Sequence, residues 1–201
     1  MAIEAVIFDI GGVLELTPPT RWQERWLGRL GVGPEELEAR LDPIFRGGSV
    51  GAIALSEVEE SVAGAFTLDE IDLENFMDDL WSEYLGTLNR PLVDYFARLR
   101  PAYRTAILSN SFVGARERER ELYGFEQLCD VVVYSHEEGF LKPDGRLYRV
   151  ACDRLRVSPD RCVFLDDAEI CVEGARAAGM HAIRFTDNAQ AMRELDRLLG
   201  V

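Results

Sequence analysis

One local pattern recurs in this chain and constrains its fold more than any other feature. Short apolar runs end in polar clusters. Ile3 to Phe8 leads into Asp9-Ile10-Gly11-Gly12, Thr105 to Leu108 into Ser109-Asn110-Ser111, and Cys162 to Leu165 into Asp166-Asp167. Val131 to Tyr134 precedes Gly139-Phe140-Leu141-Lys142-Pro143-Asp144, and His181 to Phe185 is a further apolar run. Runs of this length, with β-branched members and turn residues at their ends, predict buried strands. Helical patterns separate them over Val113 to Leu122, Asp144 to Leu155, Glu169 to Ala178 and Ala189 to Leu199. Strands alternating with helices imply an α/β fold, a Rossmann-like parallel sheet flanked by helices with right-handed crossovers. Ligands bind beyond the carboxyl ends of such strands, so four clusters far apart in sequence should converge on one edge.

The stretch after the first strand breaks this rhythm. Roughly 70 residues read as helices only, each with an apolar stripe. Trp22, Trp26 and Leu30 share one spacing, Pro34 opens a helix with Leu37, Leu41 and Ile44, and Asp69 to Leu85 carries Leu73, Phe76, Leu80 and Tyr84. Ser56 and Glu59 have the spacing of a capping box. An all-helical block inserted after strand one emerges where the ligand should sit, so residues 17–87 are expected to cap a core made of residues 1–16 and 88–201. Trp22, Trp26 and Trp81 read as the core of that block. The run from Arg116 to Glu121 reads as a solvent-facing helix with i,i+3 charge pairs.

Composition sets the outer limits. With 201 residues, 47% hydrophobic and 29% charged, the chain can bury one sizeable core and an insertion. Its net charge of −14 suits neither nucleic acid nor an anionic membrane surface. Pro34 to Gly86 holds 14 acidic residues against Arg40 and Arg46, a solvated face or a surface for a basic protein partner. No apolar run approaches the roughly 18 residues of a membrane span, and Met1 to Asp9 lacks the basic flank of a signal peptide. Cys129, Cys152, Cys162 and Cys171 show no metal-binding spacing, and the two histidines, His136 and His181, read as loop and strand-start residues. The expectation is buried, reduced thiols in a cytoplasm and no zinc site. Lys142 is the only lysine among 22 basic residues, an arginine bias that points to a GC-rich bacterial genome.

Brought to one edge, the clusters supply a carboxylate, a hydroxyl with exposed amides, a lysine and an acidic pair. Asp9 can attack phosphorus once the phosphate charge is neutralised. Asp9, a loop carbonyl and Asp166 with Asp167 offer the oxygen ligands that a hard cation such as Mg2+ prefers. Ser109 and the Asn110 amide can bind phosphate oxygens, and Lys142 can offset the charge of nucleophile and phosphoryl group. A compact ammonium on a flexible stem suits a crowded anionic site better than a planar guanidinium.

In this order the clusters resemble the four motifs of the haloacid dehalogenase-like hydrolase superfamily, and the helical block resembles the cap of its subfamily I. The likeness spans essentially the whole chain. Its most specific parts are Lys142-Pro143-Asp144 with Tyr148, and Asp166-Asp167 followed by Val172 to Met180. It is strongest to the group containing the phosphatase-like N-terminal domain of soluble epoxide hydrolase and bacterial sugar phosphatases. The resemblance implies a Mg2+-dependent hydrolase of a small phosphorylated metabolite, acting through an aspartyl-phosphate. It implies Asp9 as nucleophile and metal ligand, the Gly11 carbonyl and Asp166 as metal ligands, Asp167 as a direct or water-mediated ligand, Ser109 as phosphoryl ligand, and Lys142 as charge stabiliser.

The chain departs from that pattern twice. Gly11 stands where the family has a second aspartate, the general acid/base, a group worth about 10²–10⁴-fold in rate. Glu15, Glu169 and His136 are candidate stand-ins. Cys171 stands where asparagine is common. Gly11 keeps a second reading open, a non-hydrolytic binding or regulatory protein. A third, a 2-haloacid dehalogenase, is disfavoured because that metal-free chemistry lacks the acidic pair. A phosphomutase depends most on the missing group.

Overall fold

The computed structural model describes residues 2–200. Strand β1 (Ala5–Phe8) is wholly buried, and a two-residue strand β2 (Glu15–Leu16) follows it. Four helices come next: α1 (Trp22–Leu30), α2 (Pro34–Ser49), α3 (Leu55–Phe66) and α4 (Glu70–Tyr84). Strand β3 (Thr87–Leu88) then returns antiparallel to β2, so the two ends of the helical segment lie side by side. Helix α5 (Arg90–Arg98) leads to β4 (Arg104–Ser109), α6 (Ala115–Leu122) and the single turn α7 (Phe125–Leu128). Strand β5 (Val131–Tyr134) passes through another turn, α8 (Ser135–Glu138), to α9 (Gly145–Leu155). Strand β6 (Cys162–Asp166), α10 (Glu169–Ala177), β7 (His181–Arg184) and α11 (Asn188–Leu199) complete the chain.

The five longer strands form one parallel sheet in the order β5-β4-β1-β6-β7. A strand covered on both faces needs apolar residues at every position, which is why β1 and residues 162–165 of β6 read as continuous runs, whereas the edge strand β7 is exposed at His181 and Arg184. The pleat sends Val6 and Phe8 into one layer with Phe96, Ile107 and Leu165, and Ala5 and Ile7 into the other with Leu108, Leu147 and Phe164. A third apolar cluster belongs to α1–α4. There Phe76 is fully buried, with the rings of Trp22 and Trp26 each 5.0 Å away and edge-on. Phe112 and Ala115, beyond β4, also join this cluster. No described helix is long and apolar enough to cross a membrane. All four cysteines are buried and free, as expected.

Three details differ from expectation. Helix α3 begins one residue before Ser56, and Glu57, not Glu59, accepts the Ala54 N–H (2.7 Å). Leu73 and Tyr84 lie at the margin of α4, whose buried face is Phe76, Met77, Leu80 and Trp81. The Arg116–Glu121 run is no simple solvent-facing helix. Arg116 pairs with Glu126 and Glu137 instead of its own helix, and Arg118 lies 4.0 Å over the Trp81 ring. Glu119 is buried, with the Tyr134 hydroxyl donating to it. Removing the ring at the centre of the third cluster leaves a cavity that its aromatic neighbours fill poorly. Phe76→Ala should cost about 3–5 kcal/mol, read from urea unfolding.

Candidate active site

Asp9 follows β1, Ser109 ends β4, Asp166 ends β6, and Lys142 lies in the loop before α9. The parallel register delivers the first three to one edge of the sheet. Lys142 Nζ then bridges two of the strands, lying 2.8 Å from Asp9 Oδ1 and 2.6 Å from Asp166 Oδ2. Its side chain is 1% exposed. Burial alone would depress the ammonium, but the two carboxylates outweigh it and hold its pKa up. Burial also pushes the Asp9 carboxyl upward, opposed by Lys142 and reinforced by Asp166.

The lysine loop is fixed by contacts that the sequence did not announce. The Asn110 side chain pairs with the Lys142 backbone at both ends, accepting its N–H (2.7 Å) and donating to its carbonyl (3.1 Å). The Asn110 side chain thus positions the lysine, a role additional to the one expected of its backbone amide. The Tyr148 hydroxyl donates to the Cys171 carbonyl (2.7 Å), a bond that needs no particular side chain at 171. A Cβ on Gly174 would lie 2.7 Å from Pro143 Cβ and 2.9 Å from the Tyr148 hydroxyl, so glycine lets α10 close against this loop.

Carboxylate oxygens of Asp9, Asp166 and Asp167 lie within 4.8 Å of one another. Three carboxylates face one ammonium, and Asp9 and Asp166 are buried. Uncompensated charge in such a place costs several kcal/mol. A divalent cation would restore the balance, and an all-oxygen donor set suits Mg2+. The two glycines after Asp9 differ in kind. Gly12 has φ +72°, and a Cβ there would overlap the Asp167 carboxylate. A Cβ on exposed Gly11 would meet nothing within 4 Å, so packing does not demand glycine there.

Beside this cluster a cavity of about 370 Å³ runs from Gly11, Ser109 and Asn110 up to the helical layer. Of the candidate stand-ins, Glu15 lines it. The Thr17 hydroxyl donates to Glu15 Oε2 (3.2 Å), and buried Oε1 has no partner. Burial raises the Glu15 pKa to about 7, against the Thr17 bond and with a contribution from Asp9. Glu169 is exposed and pairs with Arg176 and Arg184. His136, in α8 instead of a loop, lies outside the lining with Nδ1 2.6 Å from Ser111 Oγ. Glu119, which sequence reasoning assigned to solvent, forms part of the wall. Its only signal was an alternating charge run, which favours an exposed reading.

The family model described as haloacid dehalogenase-like hydrolase matches residues 3–179. A Mycobacterium tuberculosis protein named as a phosphatase is 31% identical over 201 residues, covering 90% of this chain and 87% of that protein. Bifunctional epoxide hydrolase 2 of Sus scrofa is 26% identical over 221 residues and 100% of this chain. The chain spans 40% of that protein's length and 24% of its Rattus norvegicus counterpart. A HAD family enzyme of Bacteroides thetaiotaomicron, solved with magnesium and inorganic phosphate, shares the fold at TM-score 0.82 and 21% identity, over 95% of this chain and 99% of that one.

The buried carboxyl of Glu119 makes stability depend on pH. Burial lifts its pKa from the ordinary 4.5 to about 7, against the hydrogen bond from Tyr134. Folding therefore disfavours the ionised form. The cost is absent below about 4.5, grows as pH rises and is complete above about 7. Glu119→Gln keeps an acceptor for Tyr134 and removes the charge. It should gain about 2 kcal/mol on wild type at pH 8 relative to pH 4.5, read from urea unfolding at both values.

Proposed function

The chain belongs to the haloacid dehalogenase-like hydrolases, and we propose that it hydrolyses small phosphomonoesters through a phosphorylated Asp9. The observation that carries this reading is the buried triangle of Lys142, Asp9 and Asp166, with Asp167 beside it and a cavity at its mouth. Phosphatase names among the relatives support it. Asp9 attacks phosphorus, the bond to the alcohol oxygen breaks, and that oxygen takes a proton from water, Gly11 having none to give. Water then attacks the phospho-Asp9 and releases inorganic phosphate. Ser109 binds a phosphoryl oxygen, and Lys142 balances the charge that the phosphoryl group brings next to two carboxylates. Asp9, Asp166, Asp167 and the Gly11 carbonyl would hold Mg2+, which lowers the phosphate's negative charge when bound. Residues 17–87 act as a cap on a core of 1–16 and 88–201, closing over the leaving group and keeping bulk water out.

Phosphate release from a broad phosphomonoester panel, with Mg2+ and with EDTA, tests this. Release should require metal and vanish in Asp9→Asn. Lys142→Arg should lose most turnover, because a planar guanidinium does not fit the enclosed space between Asp9 and Asp166. Near-normal turnover by that variant would sink the role given to Lys142.

Gly11 favours a second reading, a binding protein without turnover, because the usual acid/base is missing from a position with room for it. Gly11→Asp separates the two. In a weak phosphatase it should raise kcat by about 10²-fold, as expected for a restored general acid/base. In a binding protein, neither wild type nor Gly11→Asp would release phosphate.

A further inference from the structure

The cavity above the triangle is unusual in its charge. Among the described residues, none of those lining it is lysine, arginine or histidine. Glu15, Glu83 and Glu119 all face it, with Trp22, Phe45 and Phe112 among the other wall residues. Three arginines of the surrounding helices are engaged elsewhere. Arg25 pairs with Asp79, Arg116 with Glu126 and Glu137, and Arg118 stacks on Trp81. All three carboxyls already accept a hydrogen bond, Glu83 from Thr20, Glu119 from Tyr134 and Glu15 from Thr17. Glu15 is 1% exposed, and its Oε1 lies against the Gly86 backbone. A second phosphate or a carboxylate on the leaving group would enter this space with no cation to meet it, at a cost in both desolvation and repulsion. An ammonium would meet carboxyl acceptors within an aromatic wall, groups that recognise cations.

We propose that the cavity selects phosphomonoesters whose alcohol carries an amine and rejects those carrying a second anionic group. This deepens the phosphatase reading and rests on it for the identity of the leaving-group site. The volume of about 370 Å³ is at the small end of ligand pockets, which run from about 300 to 1,000 Å³. The leaving alcohol is therefore a single small unit and not a nucleoside with further phosphates.

The test uses matched phosphomonoesters that differ only in carrying an amine, a hydroxyl or a carboxylate, on two-carbon, three-carbon and hexose scaffolds. Their affinities are measured by calorimetry in Asp9→Asn with Mg2+, and their turnover in the wild-type chain beside p-nitrophenyl phosphate. The amine ester should exceed its carboxylate counterpart at least tenfold in affinity on a scaffold that fits, and in kcat/KM there. Glu83→Gln, at the half-buried rim, should reduce that ratio severalfold. Carboxylate esters that bind as well as amine esters, or no amine ester bound on any scaffold, would overturn the proposal. Preferential binding of amine esters, with turnover of neither those esters nor p-nitrophenyl phosphate, would instead overturn the phosphatase reading and leave the charge selection standing.

Discussion

Everything at this site depends on one ammonium group. Lys142 Nζ lies between two carboxylates carried by neighbouring strands, out of reach of solvent. A buried cation of this kind is stable only when its partners are already in place, and removing one of them typically costs about 3–5 kcal/mol. The demand spreads outward. Asp9 and Asp166 must end adjacent strands in register, which fixes β1 beside β6. The lysine must arrive on a loop held from outside the sheet, and the Asn110 amide does this by gripping its backbone. The bare flank of Gly174 lets Tyr148 and Pro143 seat the far side of the same loop. Packing and electrostatics thus constrain one another here.

What was legible in the sequence follows from this. Strands buried on both faces leave uninterrupted apolar runs, as in β1 and β6, and β4, β5 and the partly exposed edge strand β7 also stand where apolar residues cluster between turn signals. Asp9, Ser109, Lys142 and Asp166 come together because each sits just beyond a strand or on a loop returning to the same edge, a matter of topology. The lone lysine among arginines was a second signal, and its burial accounts for the choice of a compact charge.

The rest was hidden because it depends on partners distant in sequence. Glu119 belongs to a run of alternating charge, and nothing nearby reveals that the Tyr134 hydroxyl, from the next strand, will draw it inward. Leu73 and Leu80 have equal claims on the apolar face of α4, yet Leu80 is buried and Leu73 lies at the margin, because Trp22 and Trp26 arrive from α1 at the Phe76 level. Glu57 replaces Glu59 at the start of α3 because the turn before the helix sets which backbone N–H is left unpaired. In each case the local pattern gave the element, and tertiary contact chose the residue.

The loop after β4 has a mechanical consequence. Within four residues it passes from Ser109 at the carboxyl end of the sheet to Phe112, whose ring is packed among the helices of the other layer. The same junction is stitched by Val113 N–H to the Gly48 carbonyl (3.2 Å) and by the Ser135 hydroxyl to the Ser49 carbonyl (2.8 Å). Lifting the helices from the sheet must either extract Phe112 or drag the Ser109 segment along with it. The helical layer and the Ser109 segment are therefore tied at one junction, by the Phe112 ring and by two hydrogen bonds, so neither shifts without loading the other.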